Sequence, residues 1–70
     1  MSADNCLRIR EDEKGEYNLS ECWMEGGDIQ AIGHYKTLRA AFIAAEEYQL
    51  DNEVEGGTSF HPFPRSTNEI

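Results

Sequence analysis

Cys6, Cys22, His34 and His61 are the soft metal ligands and the readiest nucleophiles or bases in this chain. Their spacing fits neither a C-x-x-C pair nor an H-x₃₋₅-H pair, the usual frameworks of a zinc site, so no metal and no cofactor is expected. No Ser/His/Asp or Cys/His set stands at a convincing separation either, and the 70 residues leave no room for an enclosed active site. The chemistry expected of this chain is therefore binding, and it is read as a non-enzyme.

The side chains that could do the binding are carboxylates. Six Lys and Arg against fourteen Asp and Glu give a formal net charge of −8 at pH 7. Such a charge opposes direct contact with nucleic acid or an anionic membrane and favours a partner with a basic surface. Placement says more than the total. Glu21, Glu25 and Asp28 cluster before and within a glycine-rich turn, and Glu46, Glu47, Asp51, Glu53 and Glu55 run through and beyond the last turns of the expected helix. Carboxylates at a helix C-terminus oppose the macrodipole, as Lys36 and Arg39 do at the other end. A sequence that breaks this local rule at both helix ends marks a candidate functional surface, and these eight carboxylates are the expected partner-binding residues.

The element that carries the second group is Thr37 to Leu50, TLRAAFIAAEEYQL. Leu38, Ala41, Phe42, Ala45 and Tyr48 recur at helical spacing, with Thr37 as N-cap. A helix of this length, roughly 20 Å, cannot stand alone and needs a sheet to cover. The sheet is read upstream. Leu7 to Glu11 and Tyr17 to Trp23 alternate apolar with polar around a charged link. A three-residue turn at Glu13-Lys14-Gly15, with Gly15 left-handed, sets Asp12 opposite Glu16, Ile9 opposite Leu19, and Cys6 opposite Cys22. Leu7, Ile9, Tyr17, Leu19 and Trp23 then share a core face, while Cys6, Arg8, Arg10, Asn18, Ser20 and Cys22 share a wet one. Cross-strand Cα atoms about 4.5–5.5 Å apart would permit a Cys6–Cys22 disulfide, but free thiols are expected in a reducing compartment.

Gly26-Gly27-Asp28 signals the next turn and Ile29 to Tyr35 a third strand of ambiguous parity, in which Gly33 hints at a bulge. Phe60 and Phe63 are expected to fold back onto the domain, with Pro62 and Pro64 excluding a central strand. The fold class is thus α+β in a single domain spanning 1–70, with 1–5 and 65–70 frayed. It is read as a three-stranded antiparallel meander with one helix across one face, and a short fourth strand from the C-terminal segment as the optional addition. A chain without an apolar leader or membrane-length run is expected in the cytoplasm.

The order hairpin, third strand with Gly33, Thr37 cap and Ala-rich acidic helix to Tyr48 resembles the partial double-stranded-RNA-binding fold of HicB-type antitoxins. That resemblance implies an antitoxin or regulatory module, whose affinity would come from Trp23, Phe60 and Phe63. In type, a tiny acidic chain without catalytic groups is also similar to phage-encoded inhibitors, anti-CRISPR proteins among them, in which carboxylates stand in for phosphates. This second likeness implies a DNA mimic that occupies a basic nucleic-acid-binding groove of a host complex.

Overall fold

The computed structural model describes residues 4–64. Its elements run β1 (Asn5–Glu11), β2 (Tyr17–Trp23), β3 (Asp28–Tyr35), α1 (Leu38–Asp51) and β4 (Thr58–His61). They form a four-stranded sheet in the order β3-β2-β1-β4. The α+β class and the meander hold, but the sheet is mixed, because β4 lies parallel to β1. The reason is topological: α1 returns the chain to the end where β1 starts, so the following segment can join only parallel to β1. Pro62 and Pro64 are compatible with this arrangement because β4 is an edge strand that ends at His61.

The first hairpin follows the register derived from its turn. Cys6 pairs with Cys22, Leu7 with Glu21 and Ile9 with Leu19. Gly15 has φ +80°, and Asp12 N–H donates to the Glu16 carbonyl at 2.8 Å. The Asp12 carboxylate also accepts from the Lys14 and Glu16 amides at 2.9 and 3.0 Å, which closes the turn locally. The ambiguous parity of β3 has a structural cause. Leu19 pairs with Gly33 and Ser20 with Ala31, so Ile32 is an inserted residue, and a second shift separates Gln30 from Asp28. These bulges let Ile32 pack on the core while Ile29 and Ala31 stay exposed. At Gly33 the Tyr35 ring occupies the space a Cβ would take.

The core is Leu7, Ile9, Leu19, Ala41 and Ala45, flanked by Tyr17, Ile32, Tyr35, Leu38, Ala44, Tyr48 and Val54. Each large aliphatic side chain here contributes about 1.5–3 kcal/mol on burial. Thr37 caps α1 as expected, its hydroxyl accepting from Ala40 N–H at 3.1 Å. Two large residues expected in the core are not there: Trp23 is 46% and Phe42 39% exposed. The helix is centred on its alanines, which let it approach the strands closely. Phe42, about 100° around the helix from Ala41, therefore faces sideways. Trp23 stands at the end of β2, beside Gly27. Conversely, Cys22 on the expected wet face is fully buried. Its thiol donates to Asp28 Oδ1 at 3.2 Å and lies 3.5 Å from Ser20 Oγ.

The expected frayed ends fall at 1–3 and 65–70 outside the described residues, whereas Asp4 and Asn5 are tied in. Met24 N–H donates to the Asp4 carbonyl at 2.7 Å, and Asn5 is buried in β1. Phe60 lies in β4 with its ring 6.1 Å from that of Tyr17, and Phe63 N–H donates to Glu11 at 3.1 Å.

Candidate functional site: an acidic end

The strand directions decide where the carboxylates meet. β1 starts, β2 ends, β3 starts and α1 ends at one end of the molecule, and the 52–57 loop leads from there into β4. Residues 15–35 and 40–64 contain no Lys or Arg, so the β2–β3 turn and the loop after α1 carry carboxylates with no basic side chain among them. Glu25 sits exposed on the β2–β3 turn, Asp51 closes α1, and Glu53 and Glu55 stand exposed on the loop after it. Asp51, Glu53 and Glu55 border one shallow cleft of about 440 Å³ with Gln49, Leu50, Asn52 and Val54.

What positions this loop is Asn5, a residue expected in a frayed tail. Its Nδ2 donates to Glu21 Oε2 at 2.6 Å and to the Glu53 carbonyl at 3.1 Å, and its Oδ1 accepts from Glu55 N–H at 3.1 Å. Its backbone carbonyl accepts from Gly56 N–H at 2.8 Å. Gly56 fits because a Cβ there would crowd Met24, Cys6 and that same carbonyl. The contact with Met24 also sets the β2–β3 turn, with its Glu25, beside the loop carrying Glu53 and Glu55. At the helix C-terminus, Asn52 donates from its backbone N–H and its side chain to the Tyr48 carbonyl at 2.9 and 3.1 Å. No basic side chain lies in the last turn.

The eight carboxylates expected to bind a partner have different fates. Glu21 serves inside the fold. Its oxygens accept from Asn5 Nδ2, from the Tyr48 hydroxyl at 2.8 Å and from Gln30 Nε2 at 3.1 Å. Those bonds, Asn5 first and Tyr48 next, hold its carboxyl below the usual range, and the same contact raises the Tyr48 phenol. Asp28 lies on the sheet face away from the helix and pairs with Arg10 at 3.2 Å. Its carboxyl is lowered first by the Cys22 thiol and then by the Arg10 charge. Glu46 and Glu47 are exposed on α1, with Glu46 bordering a different groove, formed with Arg39, Phe42, Ile43, Gln49 and Thr58. Glu25, Asp51, Glu53 and Glu55 are the four that the topology gathers.

The soft ligands are not brought to one place. Cys6 and Cys22 are free thiols across one strand pair, His61 bonds Ser59 at 3.0 Å, and His34 stands on β3. Among the described residues, the group with donor atoms close enough to hold a metal ion is Asp12, Glu16 and His34, at the opposite end from the acidic loop. The hairpin register already set Asp12 against Glu16. Adding His34 required the β2–β3 register, which the bulges hide from the sequence. Among the described residues, no helix is long and apolar enough to cross a membrane. Comparison of the chain with protein-family models, curated proteins and solved structures gave no match.

Proposed function

We propose that this chain is a small, non-catalytic inhibitor that binds a basic nucleic-acid-binding surface of a partner protein, its carboxylates standing where phosphates would. The observation that carries this reading is the gathering of Glu25, Asp51, Glu53 and Glu55 at one end of the fold by segments free of Lys and Arg. The arginines that reach toward this end are engaged by other acceptors: Arg8 donates to the Trp23 carbonyl at 3.3 Å and Arg10 pairs with Asp28. Among the described residues, the ion pairs leave Glu25, Asp51, Glu53 and Glu55 unengaged. The loop after α1 is braced by Asn5, which limits the ordering cost of binding. The mechanism is electrostatic and steric competition with nucleic acid in a cytoplasmic complex, of the type seen in anti-CRISPR inhibitors, with no contact to nucleic acid or membrane by this chain. Association would be fast and would weaken as salt rises.

A second reading rests on the exposed aromatics. Trp23, Phe42, Phe60 and Phe63 are each more than one third exposed, and Phe42 and Ile43 line a groove of about 360 Å³ beside Thr58. A HicB-like antitoxin or another regulatory module would bind through these apolar groups, and its complexes would survive high salt. Capture from a bacterial lysate at low and high salt, with wild type and Asp51→Lys/Glu53→Lys/Glu55→Lys as bait, separates the two. Capture lost both in salt and in the triple variant supports ionic binding. Capture indifferent to both, but lost in Trp23→Ala or Phe60→Ala, supports the apolar module.

A further inference from the structure

At the end of the molecule away from the acidic loop, three donors from two segments converge. Asp12 and Glu16 flank the β1–β2 turn, and His34 comes from β3, the strand beside β2 in the sheet. Their ligand atoms all lie within 4.8 Å of one another. The histidine is oriented from behind: Nδ1 lies 2.7 Å from Asn18 Oδ1, its neighbour across the β2–β3 pair. In the tautomer that donates from Nδ1 to Asn18, Nε2 keeps its lone pair for the side of the carboxylates, the arrangement in which a second partner orients a metal-binding imidazole. Nε2 in turn lies 2.5 Å from Glu16 Oε1. The Asp12 carboxylate faces the same point, and its carboxyl is held low first by the Glu16 amide, with smaller help from the Lys14 amide and from the charges of His34 and Lys14.

We propose that Asp12, Glu16 and His34 form a binding site for one divalent transition-metal ion of the zinc type, which staples β3 to the first hairpin. One imidazole nitrogen and two carboxylates are a borderline donor set that suits zinc better than calcium or magnesium, and three protein ligands leave a further position for water. Bonds of about 2.0–2.2 Å in tetrahedral array place ligand atoms about 3.3 Å apart. The present spacing reaches that by opening the Glu16–His34 contact by about 0.8 Å and drawing in Asp12 by at most about 1.5 Å. Asp12 and Glu16 are half-buried and His34 exposed, so these are side-chain rotations, and Asp12 keeps one oxygen for the turn amides. The gain to the molecule is structural. A small domain whose core holds few large side chains is the kind that profits from a metal cross-link.

The test is a zinc(II) titration of the full chain in a non-chelating buffer at neutral pH. Calorimetry gives the stoichiometry, and long-range proton–nitrogen spectra of the imidazoles identify the ligand. One ion per chain is expected, with the Nε2 resonance of His34 displaced, that of His61 unmoved, and the melting temperature raised. Asp12→Asn keeps the oxygen that accepts from the turn amides, so it should fold as the wild type does without zinc. It should nevertheless bind zinc at least about tenfold more weakly, as should His34→Gln, while Asn18→Ala loses about tenfold through its hold on the ring. His61→Gln should bind like wild type. The proposal is overturned if millimolar zinc gives no one-to-one binding, or if His34 Nε2 does not move. Full affinity in His34→Gln, or loss of binding in Cys6→Ser/Cys22→Ser with His34→Gln unaffected, would equally assign the ion to other groups.

Discussion

Replacing Asn5 should damage this domain more than replacing any of its exposed aromatics. Asn5, 6% exposed, makes with its side chain a charge-assisted hydrogen bond to Glu21 and two bonds to the backbone of the 53–55 loop. A bond to a charged group is worth about 1.5–3 kcal/mol and a neutral one about 0.5–1.5. Partial access of water to the loop reduces that sum, leaving about 2–3 kcal/mol for Asn5→Ala, or roughly 10–20 °C in a domain of this size. Asn5→Asp sharpens the test. It keeps the acceptor for Glu55 N–H but sets a second carboxylate where Nδ2 stood, 2.6 Å from Glu21 Oε2. At neutral pH the two charges repel. Near pH 4 the pair can share a proton, so the deficit relative to wild type should shrink as the pH falls. Thermal melts by circular dichroism across pH 4–7 would measure both. A loss below about 3 °C for Asn5→Ala, or a deficit for Asn5→Asp that does not change with pH, would refute the account of Asn5 as the brace of the loop.

Glu21, Asp12 and Asp28 all have folded-state carboxyls lowered from their ordinary values. A lowered folded pKa contributes stability above the unfolded pKa and loses it as the pH falls through the folded value, so the melting temperature should decline below about pH 4.5. Glu21→Gln should flatten part of that acid limb, and an unchanged slope in melts from neutral pH to about pH 2.5 would contradict its role. In the helix, Phe42→Ala should cost only about 1 kcal/mol, because its ring is 39% exposed, well short of the 3–5 of a buried Phe. Ala45→Leu, on the sheet-facing side of α1, should cost about 1–3 kcal/mol by overpacking, and the reverse order in denaturant titrations would show that α1 is rotated from the face described.

What the sequence disclosed and what it hid have physical reasons. The Gly15 turn and the alternation on either side determine the first hairpin down to Cys6 opposite Cys22, because a left-handed glycine in a three-residue turn permits one register. The Thr37 cap is equally local. The third strand resisted because its bulges break the period of two that the reading relies on. Phe42 shares the helical spacing of the core residues, but the helix turns its small alanines to the sheet, where close approach leaves no room for the ring. The hub of the acidic end was hidden for a different reason. Asn5 finds Glu53 and Glu55 about fifty residues away in sequence, and no local pattern marks an asparagine as buried. The acidic runs themselves were legible, but not that Glu21 would be consumed by the fold while Glu25 joined the loop beyond α1.

The central claim is most directly tested by competition. With the captured partner in hand, its affinity for duplex DNA or for its own nucleic acid is measured against increasing wild-type chain, and against Asp51→Lys/Glu53→Lys/Glu55→Lys. The three side chains are exposed and stand at or beyond the helix C-terminus, where cations are favourable by a few tenths of a kcal/mol each, so the variant should melt at or slightly above the wild-type temperature. The account predicts that the wild type displaces nucleic acid in a salt-sensitive manner and that the equally stable variant does not. Displacement undiminished in the variant, or a partner that binds this chain and nucleic acid together, would contradict it.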